Sequence, residues 1–309
     1  MRSFITTITA ALVLFYHGTV IGQQAATQQL SCNDPSSTLL WKINGNQSRV
    51  YLFGSIHVGK ADFYPLPAVI ESAYHNSQHV VFEIDPRDAA DPAAMFQIQS
   101  KAMLQDGQSL KDMISEPVMN DLVKTLNNLG LPAEGFMGFQ PWFISMLLSN
   151  LQVAALGYLP QQGIEQYLVG EKPPQAQILE LESLQQQIGF LQELNGEAFL
   201  YYTLQDFDEG KEKLEQLINA WRCADRGELK DLLFNDLETA AADDPEMKKL
   251  MEMLFFERNK KMSGVITDYL ENGNGDYFVT VGAGHLIGDR SIIDLLDDRY
   301  KVVNIKKSY

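Results

Sequence analysis

At 309 residues the chain is long enough to bury a sizeable core, as one large α/β domain or two small ones. Its 45% hydrophobic and 21% charged content is ordinary for a globular protein and excludes a disordered or fibrous chain. A formal net charge of -16 at pH 7 repels phosphate backbones and anionic membrane surfaces, which argues against nucleic acid as a partner; its simplest role is to keep a soluble protein dispersed.

Met1-Arg2-Ser3, followed by an apolar run over 4–21, has the layout of a secretory signal peptide spanning 1–22. Thr6, Thr7, Thr9 and His17 dilute the run, and a short membrane anchor is the alternative. No later stretch is apolar enough for a stable membrane span after cleavage. A polar leader fills 23–38. Residues 39–43 and 49–56 read as strands joined by a turn at Asn44-Gly45-Asn46. Pro65-Leu66-Pro67 opens a helix over 68–76, and 79–85 reads as a strand closed by Pro86. From 88 to 272 apolar residues recur at spacings of three and four, the helical pattern, with one short run at 176–181 returning to the sheet. The tail reads as strand 276–282, helix 285–298 and strand 301–305. The expected fold class is α/β (α+β): a single domain over 39–309 whose central mixed sheet is formed from the N- and C-terminal parts, with a helical insertion at about 88–272.

Cys32 and Cys223 are the only cysteines. In an oxidising compartment they read as one disulfide tying the N-terminal segment to a helix, two unrelated free thiols being the alternative. Their spacing suits neither a zinc knuckle nor a CxxC redox site.

Of the five histidines, His17 leaves with the signal peptide, and His75 and His79 read as ordinary residues at a helix-to-strand junction. His57 and His285 differ. Each follows an apolar strand and stands three residues after a glycine, Gly54 and Gly282, with Gly284 beside the second. A glycine there removes the Cβ, so the backbone can turn sharply or a ligand can approach it. For a lone histidine after a strand the structural reading wins, but Glu83 adds a third group: it interrupts the apolar run Val80-Val81-Phe82, where a charge is costly unless paired or bound to metal. Two histidines and a carboxylate resemble catalytic sites for zinc and related divalent ions, which acidify a bound water. No G-x-S-x-G elbow or catalytic-cysteine signature is present. Glu257-Arg258-Asn259 lies in a helical stretch over 248–270; a solvated face explains it simply, while the functional reading makes Arg258 an oxyanion clamp and Glu257 a second partner or proton shuttle. Glu165 and Glu182 stand near helix starts, where capping accounts for them, and are outside candidates for a pocket wall.

The segments Leu40-Trp41-Lys42-Ile43, Tyr51-Leu52-Phe53-Gly54-Ser55-Ile56-His57-Val58-Gly59 and Phe63-Tyr64-Pro65-Leu66-Pro67 resemble, in order and spacing, the opening of the TraB/GumN family. Val279-Thr280-Val281-Gly282-Ala283-Gly284-His285-Leu286 resembles its closing motif, and shorter stretches around Glu83, Trp142, Glu165, Glu182 and Arg258 fall where the family carries similar ones. The resemblance implies a compact α/β fold akin to erythromycin esterases and haem-binding ChaN-like proteins. Its Tiki-type members are divalent-metal proteases acting on extracellular Wnt proteins, with both Gly-x-x-His histidines and an acid implicated; carried over, these are His57, His285 and Glu83. Arg299-Tyr300 departs from the family's usual Gly-Tyr, which concerns only a helix end.

The leading expectation is therefore an exported, secreted or periplasmic, divalent-metal-dependent hydrolase, with manganese, cobalt or zinc held by His57, His285 and Glu83 and a peptide or small molecule as substrate. One alternative is an esterase-like hydrolase without metal, with His57 as general base. The other is a non-catalytic binding protein for haem or a peptide.

Overall fold

The computed structural model describes residues 31–88, 91–207 and 210–307. The expected signal peptide and most of the leader lie outside the described residues. Strands β1 (Leu40–Asn44) and β2 (Ser48–Ser55) form the expected antiparallel hairpin, with Leu40 opposite Phe53. Gly45 is required at its turn, because a Cβ there would run into the Leu270 carbonyl.

Strands β3 (His79–Phe82), β4 (Gln177–Glu180), β5 (Gly275–Gly282) and β6 (Val303–Asn304) complete a six-stranded mixed sheet in the order β4-β3-β5-β2-β1-β6. The C-terminal strand β5 is inserted between β2 and β3, parallel to both, and β4 runs parallel to β3. Four neighbouring strands thus end on the same edge. Their runs are apolar rather than alternating because both faces are covered: Val80, Val81, Phe82, Phe278, Val279 and Val281 are all fully buried. The helix Ala68–His75 carries the chain from β2 to β3, and its Tyr74 meets Phe278 edge-on at 5.2 Å. The helix Glu257–Asn272 leads into β5 and buries Met262, Ile266 and Leu270, a stripe at spacings of four.

Much of the segment between β3 and β5 is helical, as expected. Leu110, Val118, Leu122, Leu126, Ile144, Leu148, Leu200 and Leu204 form a second core there, separate from the one around the sheet.

The strand expected over 301–305 is only Val303–Asn304, and two further boundaries beside the site differ from expectation. The strand expected over 79–85 ends at Phe82. The helix expected over 285–298 is a 3-10 turn, Ala283–His285, followed by the helix Ile292–Asp297. Gly288 at φ +83° and Arg290 at φ +58° turn the chain between them, and the Ser291 hydroxyl then caps the new helix by accepting from the Asp294 amide at 3.1 Å.

Cys32 and Cys223 form the expected disulfide, closing a sequence separation of 191 residues onto the end of the helix Gly210–Cys223. Cross-linking so long a loop restricts the unfolded chain, so replacing both cysteines by serine is expected to lower stability by about 2–5 kcal/mol. Thermal unfolding with and without reductant measures this, and identical midpoints would refute it. Among the described residues no helix is long and apolar enough to cross a membrane.

Candidate active site

The parallel strands deliver their chemistry at one edge. β2 and β5 finish side by side, Ser55 opposite Gly282, and β3 and β4 finish with Phe82 opposite Glu180. His57 lies two residues beyond β2, Glu83 directly beyond β3 and Glu182 two beyond β4, while 282–285 turns off the end of β5. The Leu181 amide donates to the Phe82 carbonyl and the Glu182 amide to the Glu83 carbonyl, both at 2.9 Å, which holds Glu83 and Glu182 next to each other. The carboxyl edge of parallel strands is where open α/β sheets bind ligands.

Glu83, Glu165, Glu182, Arg258 and His285 are all buried, and buried charges must be compensated. The Arg258 guanidinium does this for two carboxylates. It pairs with Glu83, donates to Glu182 at 2.7 to 3.2 Å through Nη2 and Nε, and returns Nη1 to the Leu254 carbonyl at 3.3 Å. Gln187, on the helix Leu184–Glu193, donates to Glu83 at 3.1 Å and to Glu182 at 3.3 Å. The Gly282 amide donates to Glu83 Oε2 at 3.1 Å. Burial alone would raise the Glu83 carboxyl, but the Arg258 charge together with the two histidines and the Gly282 amide outweighs it and holds the group far below the usual carboxylate range.

The two histidines are held through their Nδ1 atoms by different partners. His57 Nδ1 lies 2.9 Å from Glu165 Oε1, and the Ser55 hydroxyl donates to the same oxygen. Glu165 is in the first turn of the helix Ile164–Gly170, whose start is docked on β2's extension: the Ile164 amide donates to the Ile56 carbonyl at 3.2 Å, and a Cβ on Gly163 would strike the His57 carbonyl. Burial pulls the His57 pKa down, but the charge and hydrogen bond of Glu165, with the charge of Glu83, outweigh it and lift it to about 9.

His285 Nδ1 lies 2.6 Å from Asn259 Oδ1, and Asn259 Nδ2 donates to the Arg290 carbonyl at 2.9 Å. That second bond fixes the amide, so Oδ1 accepts from an Nδ1–H and the His285 lone pair is on Nε2. Burial, without a charged partner strong enough to offset it, takes the His285 pKa down to about 3, leaving the ring neutral. Its Nε2 is buried with no hydrogen-bond partner among the described residues and stands 3.8 Å from Glu83 Oε2.

These groups converge over Gly282. A Cβ added there would lie 3.3 Å from His57 Nε2, 3.7 Å from Glu83 Oε2 and 3.7 Å from His285 Cδ2. The missing side chain keeps that point open. Among the described residues no three His, Cys, Asp or Glu side chains are already gathered in metal-binding geometry. The donor chemistry nonetheless fits a small divalent ion. Each imidazole is oriented by an outer partner on Nδ1, the usual arrangement of a metal-bound histidine. Ligand bonds of about 2.0–2.1 Å in a tetrahedral set bring neighbouring donors to about 3.3 Å, a short step from the observed 3.8 Å.

The structure brings together His57, His285, Glu83, Arg258, Glu165, Glu182 and Gly282. It sets apart three other expected residues. Glu257 is exposed and lines a groove with Lys248, Lys249 and Glu252, facing away from the cluster. Gly54 makes room for Ala283 and Leu39, and Gly284 for the Phe255 ring at 3.1 Å, so both serve packing. Arg258 is in the cluster but in a different capacity from the expected oxyanion clamp, since its nitrogens already serve Glu83, Glu182 and Leu254. Asn259, Ser55 and Gln187 join the cluster without having been expected there. Asn259 could have been found, because it sits on the same buried stripe as Met262, Ser263 and Ile266.

A buried acid and imidazole centre at the carboxyl edge of four parallel strands defines an α/β protein with a polar site built from both ends of its chain. The model of the TraB/PrgY/gumN family matches residues 39–304, and the chain belongs to that family. It is 27% identical over 249 residues to the uncharacterized protein YbaP of Escherichia coli (strain K12), covering 80% of this chain and 87% of that one. It is 23% identical to a protein named Metalloprotease TIKI homolog from Nematostella vectensis (84% of this chain, 65% of that one) and 22% identical to Metalloprotease TIKI2 of Xenopus tropicalis (93% and 65%). The chain spans just under two thirds of the length of these two metalloproteases. No solved structure matches it.

Proposed function

We propose that the protein is a divalent-metal-dependent hydrolase, a peptidase by its likeness to proteins named metalloproteases, in which His57, His285 and Glu83 hold the ion. The observation that carries this reading is the buried, unpartnered Nε2 of His285, which faces Glu83 Oε2 beside the opening over Gly282. Charge supports it too. A histidine binds metal through an unprotonated nitrogen, so in the ligated state, with the extra proton of His57 displaced, the carboxylates of Glu83, Glu165 and Glu182 face a single guanidinium among the described residues, leaving two negative charges that a divalent ion balances. When bound, such an ion supplies an acidified water and a Lewis acid for the scissile carbonyl.

The chain's own residues then have defined tasks. Arg258 and Gln187 fix the Glu83 carboxylate, Asn259 fixes the His285 tautomer, and the 13% side-chain exposure of His57 leaves it the access point to the site. The Cys32–Cys223 disulfide is compatible with a secreted or periplasmic protein, and we propose export as its route.

Elemental analysis of protein purified without chelator tests the reading, paired with His57→Ala and His285→Ala and with cleavage of a mixed peptide library. Bound metal near one equivalent is expected in the parent and a much smaller fraction in each variant, with cleavage suppressed by a chelator and restored by manganese, cobalt or zinc. Equal metal content in all three proteins would overturn it.

A further inference from the structure

The two histidines of the centre are supported unequally. His285 leans on a neutral amide, whereas His57 leans on Glu165, a carboxylate buried away from water and anchored by a second donor, the Ser55 hydroxyl. The Ser55 oxygen also lies 3.1 Å from the Val281 carbonyl on the neighbouring strand, so its single proton is directed between that carbonyl and Glu165. The pieces come from three places in the chain: Ser55 ends β2, Val281 lies in β5, and Glu165 is carried by a helix whose start is locked onto residues 56 and 57.

We infer that Glu165 is a positioning residue: together with Ser55 it holds the His57 ring with Nδ1–H turned away from the centre and Nε2 turned into it, as the nitrogen left for a ligand. The physical reason is directional. A buried carboxylate accepts and cannot donate, so a proton between it and the ring belongs to Nδ1, and Nε2 is left to face the opening over Gly282, where it lies 3.3 Å from the Cβ position. A carboxylate in this role also increases electron density on the ring, making Nε2 a stronger donor to a metal than the amide-supported Nε2 of His285. His57 is therefore the stronger anchor of the pair, and Glu165 is what makes it so. The affinity part of this inference rests on the metal reading above; the tautomer part does not.

The test uses the full chain as Glu165→Gln and Ser55→Ala, with two readouts. The first is the nitrogen-15 spectrum of the histidines in metal-free protein. His57 in the parent is expected to show a strongly hydrogen-bonded Nδ1–H proton at low field, lost in Glu165→Gln, whose side chain can also donate, and kept but weakened in Ser55→Ala. The second is titration with cobalt(II), followed by its visible absorption. Glu165→Gln is expected to weaken cobalt binding by about 10–100-fold and Ser55→Ala by less. Near-parental thermal midpoints identify a local effect, and a structural role alone would not move the His57 resonance. If the parent takes up no cobalt but shows the low-field proton, the metal reading fails while the positioning role stands. If the Glu165→Gln spectrum and cobalt affinity both match the parent, Glu165 does not position His57.

Discussion

Replacing Arg258 by alanine is expected to destabilise the protein by about 3–5 kcal/mol, the range for breaking a buried ion pair by removing one partner. Arg258 is 1% exposed and is among the largest side chains buried whole in the fold. Its guanidinium stands between Glu83 and Glu182, both of which are almost wholly buried and would lose the cation that pairs with them directly. Gln187 can give each a hydrogen bond but no charge. Arg258→Met separates the contributions, since it keeps most of the volume and loses only the charge and its five donors. If packing dominated, methionine would recover most of the loss; because charge dominates, it is expected to recover little. Adding Glu182→Gln to Arg258→Met removes one of the stranded charges and should restore part of the stability. Urea unfolding followed by circular dichroism measures all three variants. A loss below about 1 kcal/mol for Arg258→Ala would show that the cluster is wetter and better screened than its burial indicates.

The sheet was legible in the sequence because its strands are near-continuous apolar runs bounded by glycine and proline. Val80-Val81-Phe82 and Phe278-Val279-Thr280-Val281 are fully buried in the structure, as such runs require. The convergence of the N- and C-terminal parts was expected as well, although no pattern in the sequence could show that β5 lies between β2 and β3. His57, His285 and Glu83 stood out because each breaks or ends an apolar run. Their supporting residues did not. Ser55, Gln187 and Asn259 are small or neutral polar residues, common anywhere, and only the fold shows that each is aimed at a charged or imidazole group. Glu257 was misread by a single step along a helix, which is a rotation of about 100°: Arg258 and Asn259 face inward and Glu257 outward. The tail helix was overextended because Arg290 at φ +58° is a backbone state that few non-glycine residues adopt. Its carbonyl, turned by that conformation, is the one that orients Asn259 and through it His285.

Gly282→Ala should separate the fold from the site more cleanly than any other single change. The glycine is not needed for its backbone, since Gly282 sits at φ -52°, ψ 136°, a region open to every L-residue. Exchange of glycine for alanine at a compatible conformation commonly stabilises a protein by about 0.4–1 kcal/mol, by restricting the unfolded chain. Here the added methyl would meet His57 Nε2 at 3.3 Å, tight enough to offset some of that gain, so the thermal midpoint should remain close to the parent's. The site should fare very differently. The methyl occupies the point on which His57, Glu83 and His285 converge, and neither histidine can swing clear without breaking its bond to Glu165 or Asn259. A displacement of about 1 Å at a reacting centre costs about 100-fold in rate, so under the metal-dependent hydrolase proposed above, filling the opening between the donors is expected to cost at least about that much in hydrolysis and to remove bound metal. Gly284→Ala is the matched control. Its methyl would press on Phe255, 3.1 Å away in the core, and should lower stability while leaving the opening free. A Gly282→Ala protein that keeps full metal content and full activity would mean that the chemistry happens somewhere other than the rim above this glycine.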